Sequence, residues 1–337
     1  MKPFRFVTLL FGLVIFIFAS CSSNSYEVNV DEVPLNIDFV NLDSLALHAN
    51  WTQRDALFMD LKKKDEELFN FAFSFALEIP LTSDTAFRNG INRFYINPYI
   101  SALEEKLATK AKWRKESSEL MLNGFKRLSY FMPNWKKPRS IYFINSRFAA
   151  SAYCTNKSIA IGQERYLGPS DKLIQELPSN QFYGWIKEAM QENFVESDAL
   201  LVWISSHGIE ETSDNYASEM IRWGKMLFLT HICLPELPES DVLRYSKKDY
   251  NWAVASEKAF WEYLVDEELL FKTDEETRMN FLHEGPFTTG LPQESPDRMG
   301  RFMGYMIVKQ YMENNDVSPK ELIKTPYNKI LQKYQVN

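Results

Sequence analysis

The chain has 337 residues, of which 45% are hydrophobic and 25% charged, the composition of an ordinary globular protein of one large domain or two. A formal net charge of −7 argues against nucleic acid as a partner, because holding phosphates needs a basic surface. No repeat of solenoid or propeller length is present, and past the first twenty residues no apolar run is long enough to cross a bilayer.

Residues 1–21 read as an export leader. Lys2 and Arg5 give the positive start, residues 7–18 are almost unbroken apolar sequence, and Ala19 and Ser20 put small residues before Cys21. This order resembles a bacterial lipoprotein signal, with Cys21 as the lipidated new N-terminus and palmitate among its acyl chains. Several such chains anchor a protein firmly, since each buried CH₂ contributes about 0.8 kcal/mol. Residues 22–34 are polar and read as a flexible tether. Residues 35–337 read as one globular domain.

Within that domain, 35–40 has the pattern of a short strand. Thr52 and Asp55 mark a capping-box start for a helix reaching residue 77. Asn97 and Pro98 start another, with Ile100, Leu103 and Leu107 on one face. A helix over 116–131 stops before Pro133. Three β-rich runs follow, 140–145, 148–154 and 158–162, with a turn at 155–157, and predict a small antiparallel meander. Helices resume over 180–194, 199–206, 215–230 and 251–270. Thr273 with Glu276 opens one ending near Leu282, and 319–324 adds a short last one. Residues 295–314 form the clearest helix. Ser295 is its predicted cap, Pro296 its first residue, and Met299, Phe302, Met303, Met306, Ile307 and Tyr311 its apolar face. Gly300 and Gly304 each cost that helix about 1 kcal/mol against alanine, so a second backbone is expected close against it. The fold class is α+β, predominantly helical, with a small antiparallel sheet.

Searches for chemistry find no reaction. A His-Glu-x-x-His helix places two imidazoles on one face for zinc. The four histidines are His48, His207, His231 and His283, and Phe287 stands where a second ligand after His283-Glu284 would be. No G-x-S-x-G elbow, P-loop or G-x-G-x-x-G occurs. The carboxylate pairs Glu210-Glu211, Glu267-Glu268 and Glu275-Glu276 fit a solvated helix surface. Cys154 and Cys233 either pair in an oxidising compartment or stay as buried thiols. No catalytic residue, metal ligand or cofactor is expected. Two polar clusters remain as candidates for binding or for holding structure: Glu219, Gly224 and Lys225 inside one helix, and Gln293, Glu294, Ser295 and Arg298 at the start of another.

Four stretches, 125–133, 159–168 (IAIGQERYLG), 218–229 (SEMIRWGKMLFL) and 286–296 (PFTTGLPQESP), the last followed by Arg298, Gly300, Gly304 and Tyr311-Met312, resemble the gliding-motility lipoprotein GldB family of Bacteroidetes. The resemblance implies an envelope lipoprotein facing the periplasm, with motility or protein-export components as partners. It also implies a body like a zincin-type metallopeptidase without the metal motif. In that comparison Trp223 stands where many relatives carry Glu, and Gln163-Glu164 replaces Leu-Asp. Ser22 after the lipidated cysteine favours the outer membrane. The expected role is a non-catalytic accessory; a diverged hydrolase and a small-ligand-binding module are the alternatives.

Overall fold

The structure, a computed structural model, describes residues 26–209 and 215–336. The leader, Cys21 and Glu210-Glu211 lie outside the described residues. The described residues are 59% helical and hold one four-stranded mixed sheet.

The sheet separates the two largest parts of the core. It holds β1 (Asp38–Asn41), β2 (Ser140–Ile144), β3 (Ala152–Cys154) and β4 (Ser158–Gly162) in the order β1-β2-β4-β3. β2 and β4 are buried at every position, as expected for strands covered on both faces. Successive side chains therefore serve opposite layers. Ile141, Phe143, Ile159 and Ile161 join the larger core, while Tyr142, Ile144 and Ala160 join the smaller one. On the smaller side lie α1 (Leu42–His48), α2 (Trp51–Lys64), α3 (Glu66–Asn70) with a π-helical turn over Phe71–Ala76, and α4 (Asp84–Tyr95).

The expected antiparallel meander is corrected. β2 runs parallel to both β1 and β4, and only β3 is antiparallel, at the edge beside β4. The turn at 155–157 does join β3 and β4 as a hairpin. A meander would have put the half-exposed β3 in the centre. The fully buried, largely apolar β2 and β4 take the two central places instead, where burial stabilises them most. The strand expected over 148–154 shrinks to three residues because 145–149 form a tight loop, with Arg147 and Phe148 both left-handed.

The chain continues through α5 (Pro98–Ala108), α6 (Ala111–Phe131), α7 (Lys172–Gln175), α8 (Gly184–Glu188), α9 (Val195–His207), α10 (Tyr216–Cys233), α11 (Glu239–Val242), α12 (Lys247–Asp266), α13 (Glu275–Leu282), α14 (Met299–Asn314), α15 (Pro319–Lys324) and α16 (Tyr327–Leu331); α5, α7 and α8 pack a third, small cluster around Leu103, Leu107 and Ile174, and α6 with α9 to α16 builds the larger layer. Several predicted boundaries move for local reasons. Asn50 and Gln53 form the capping box of α2, not Thr52 and Asp55. The helix expected to continue to residue 77 is broken at Asp65, whose carboxylate caps α3. Asp274 rather than Thr273 caps α13. The helix over 180–194 reduces to α8 and a single turn of 3₁₀ helix. Residues 26–34, read as tether, run against the body: Val30 is buried and the Tyr26 ring sits edge-on to Phe131 and Phe228. Cys154 and Cys233 are both free thiols, the first facing the Val202 carbonyl and the second buried in the larger core.

The second backbone that Gly304 demanded is α10, and at Gly300 it is the end of α13. A Cβ on Gly304 would lie 2.0 Å from the Met220 carbonyl oxygen, and one on Gly224 would lie 2.0 Å from the Gly304 carbonyl oxygen. Gly300 leaves room for the Tyr216 hydroxyl and the Phe281 carbonyl. The two helices touch backbone to backbone, a contact no side chain permits. Gly304→Ala and Gly224→Ala are each expected to destabilise the fold by about 3 kcal/mol or more, since the obstacle is main chain and cannot rotate away. Gly184→Ala, where a Cβ meets nothing within 4 Å, is the matched control and should be neutral or slightly stabilising. Urea midpoints of the three variants test the contrast; equal midpoints would refute it.

Candidate functional site

Each candidate residue of the first cluster has a partner inside the fold. Glu219 pairs with Arg222 at 3.0 Å across one turn of α10, both largely buried. Glu219 Oε2 and Arg222 Nε are left without hydrogen bonds. Gly224 is the contact point with α14. Lys225 Nζ donates to the Ile323 and Thr325 carbonyl oxygens at 3.2 and 2.6 Å, where α15 ends. A cation among terminal carbonyls is the favoured arrangement at a helix C-terminus. Burial pushes the Lys225 pKa down to about 8.

The second cluster is a closed loop. Thr288 ties it: its N–H and hydroxyl both reach the Pro296 carbonyl, at 3.1 and 2.7 Å. Its Oγ1 then accepts from the Met299 N–H at 3.1 Å, so Thr288 caps α14 from across the loop. This corrects the assignment of Ser295 as the cap: Ser295 is buried four residues before the helix, its hydroxyl unpartnered. Gly290 supplies a φ of +85° at the loop's tip. Arg298 occupies the left-handed region at φ 55°, a conformation that costs a non-glycine residue about 1 kcal/mol or more. Its guanidinium lies 2.9 Å from Asp297 and 3.8 Å from Glu284, sits over the Tyr245 ring and donates to the Arg244 carbonyl. Arg244 in turn is buried against Asp198, which also accepts from Tyr166 at 2.7 Å. Gln293 and Glu294 are exposed, and Arg298 pairs with Asp297 and Glu284 rather than with Glu294. The two clusters have separate partners: Lys225 looks onto a cleft beside α15 and α16, and Arg298 is buried under the loop.

A different site was invisible in the sequence. At the C-terminal end of β2, where ligands commonly bind in sheets with parallel strands, a cleft of about 590 Å³ has Asn145 on its floor. Phe94, Tyr99 and Phe182 supply walls, and Arg93 and Arg147 line it as well. Behind it are three buried carboxylates. Asp43 accepts from the Asn145 N–H and the Tyr95 hydroxyl. Glu164 Oε1 accepts the N–H groups of Ser146 and Phe148 at 2.9 and 2.8 Å. The loop after β2 is thus folded around two acidic side chains. Glu104 is the third: its Oε1 has no hydrogen bond of normal geometry, and nor does the neighbouring Asn145 Nδ2. Burial, and then the Glu164 charge, push the Glu104 pKa up to about 7, and burial also raises Asp43 and Glu164. No local pattern links residues 43, 104 and 164; only the fold brings them together.

The histidines are dispersed. His207 stacks on Trp203 with ring centroids 4.0 Å apart, His231 Nδ1 lies 2.7 Å from the Tyr305 hydroxyl, and His48 and His283 are exposed. Among the described residues, no three His, Cys, Asp or Glu side chains converge so that they could hold one metal ion.

Two predictions follow from these contacts. Because Glu104 is held protonated to higher pH in the folded state, the folded chain binds more protons than the unfolded between about pH 4.5 and 7. That stabilisation is full below the unfolded pKa and is lost as pH rises through about 7. Glu104→Gln should flatten the fall in unfolding free energy over this window and stabilise the protein at pH 8 by on the order of 1–3 kcal/mol; denaturant titrations at several pH values check it. Lys225→Met should lower stability by about 1–3 kcal/mol by stripping two carbonyls of their donor, with faster amide exchange confined to residues 319–328; a variant as stable as the parent would show that Lys225 does not hold α15.

No curated protein and no solved structure matches the chain. A family model described as gliding motility protein GldB matches residues 23–336, almost the entire sequence, and the chain belongs to that family.

Proposed function

We propose that the protein is a lipid-anchored component of the cell envelope, facing the periplasm, and that it serves a gliding-motility or associated protein-export assembly as a non-catalytic accessory. Family membership over 23–336 carries this reading. The internal use of the family-like residues supports it: Gly224, Lys225, Thr288, Gly290 and Arg298 each hold a helix end, a crossing or a loop. Cys21 is the lipid attachment site in this proposal, Ser22 after it favours the outer membrane, and the partners are other envelope proteins. No helix among the described residues is long and apolar enough to cross a membrane, so the lipid would be the attachment.

A second reading, a binding module for a small periplasmic ligand, is favoured by the cleft over Asn145, which has apolar walls and converging polar groups.

Cys21→Ala is expected to abolish labelling by a palmitate analogue and move the protein from the membrane to the soluble envelope fraction. Crosslinking in native envelopes should then capture envelope proteins with the parent chain and lose them with the variant. Turnover of peptidoglycan or peptide by the purified protein, removed by a substitution in the Asn145 cleft, would overturn the accessory reading in favour of a hydrolase.

A further inference from the structure

The described chain enters the folded body at one particular place. The Tyr26 ring packs edge-on to Phe131 at 6.4 Å and to Phe228 at 5.4 Å between centroids. Beside it runs a groove lined by Val28, Tyr130, Phe131, Pro133, Met312 and Lys320. Tyr130 is 56% exposed and edge-on to Phe131, so its ring projects from this face against a firm support. A tyrosine with an apolar ring body and a polar tip is the residue type that settles at the boundary between lipid headgroups and acyl chains.

Chain length fixes how far this groove can be from a lipid on Cys21. Five peptide steps separate Cys21 from Tyr26, which at full extension is about 18 Å. The headgroup layer on one side of a bilayer occupies about 5–8 Å of that. The entry point of the chain therefore lies within about 18 Å of the acyl chains that would hold Cys21. We propose that the face formed by Tyr26, Val28, Tyr130 and Pro133 rests on the bilayer, with the Tyr130 ring at headgroup depth. The proposal rests on the reading of Cys21 as lipidated. The charges in the groove specify the kind of surface. Glu313, Asp316 and Glu321 accompany Lys320, so the face carries more acid than base and meets neutral headgroups; it has none of the polybasic character that draws proteins to anionic lipid.

The test uses the full-length protein in its native envelope. A benzophenone amino acid is placed at Tyr130 and, as controls, at Ile96 and Phe271, which are 76% and 66% exposed and lie outside the groove. After irradiation, adducts are identified by mass, and the acylation of Cys21 is read on the same samples. Lipid adducts at position 130 and their absence at 96 and 271 are expected. Lipid adducts at all three positions, none at 130, or protein adducts at 130 in place of lipid would each overturn the orientation. Unmodified Cys21 would overturn the anchor and the orientation together, whereas acylated Cys21 without lipid at 130 would overturn the orientation alone. In reconstituted neutral vesicles the same pattern should appear, and adding anionic lipid should not increase the adducts.

Discussion

Two backbones meet with no room for a side chain between them where α10 and α14 cross at Gly224 and Gly304. Much else depends on that contact. The crossing brings α14 deep enough for Phe302, Met303, Ile307 and Val308 to share one core with Met220, Ile221, Leu227 and Phe228. It also sets where the loop ahead of α14 must close and where α15 must end, and so where Thr288 and Lys225 find their partners. Glycine is tolerated in these helices because the packing gained exceeds the roughly 1 kcal/mol each gives up in helix propensity.

On the far side of the sheet, structure is held by polar means. The loop after β2 wraps its N–H groups around Glu164 and Asp43, an arrangement usually reserved for a bound anion. The acceptor here is part of the chain. Such a loop is held in shape by its own carboxylates, and it sets Asn145 and Arg147 in the lining of a cleft without requiring a ligand to order them. Asp198 does the same for Arg244 and Tyr166 in the other layer. The fold thus spends buried charge on shaping loops, because its short helices and three-residue edge strand offer few main-chain partners there.

What could be read from the sequence was whatever is local. The body of the helix expected over 295–314, its need for a close neighbour, the Asn97-Pro98 start, the turn at 155–157 and the short helix over 319–324 all depend on spacings of four residues or fewer, and they hold, though the first of these helices begins only at Met299. The pairing of β2 with β4 rather than β3 was illegible because it depends on which strand is covered on both faces, a property of the whole fold. Ser295 lost its capping role to Thr288 for a similar reason: the donor that had to be satisfied was reached across a loop, eleven residues away in sequence. The carboxylates at 43, 104 and 164 had no signature, since acidic residues are abundant and only the fold brings these three together in its interior.

The placement of residues 26–41 has a mechanical consequence. Tyr26 and Val30 are seated in the body, Ile37 is buried, and β1 runs on directly to lie parallel to β2. A pull on the N-terminus reaches seated side chains at Tyr26, Val30 and Ile37, with only the turn at 30–33 and a short irregular stretch between them to extend. It loads first the ring contacts with Phe131 and Phe228, and then the row of hydrogen bonds between β1 and β2. Along the strand direction those bonds are strained together in shear rather than opened one by one. The route by which tension would reach the rest of the molecule is therefore short and stiff, and it ends in the central strands of the sheet.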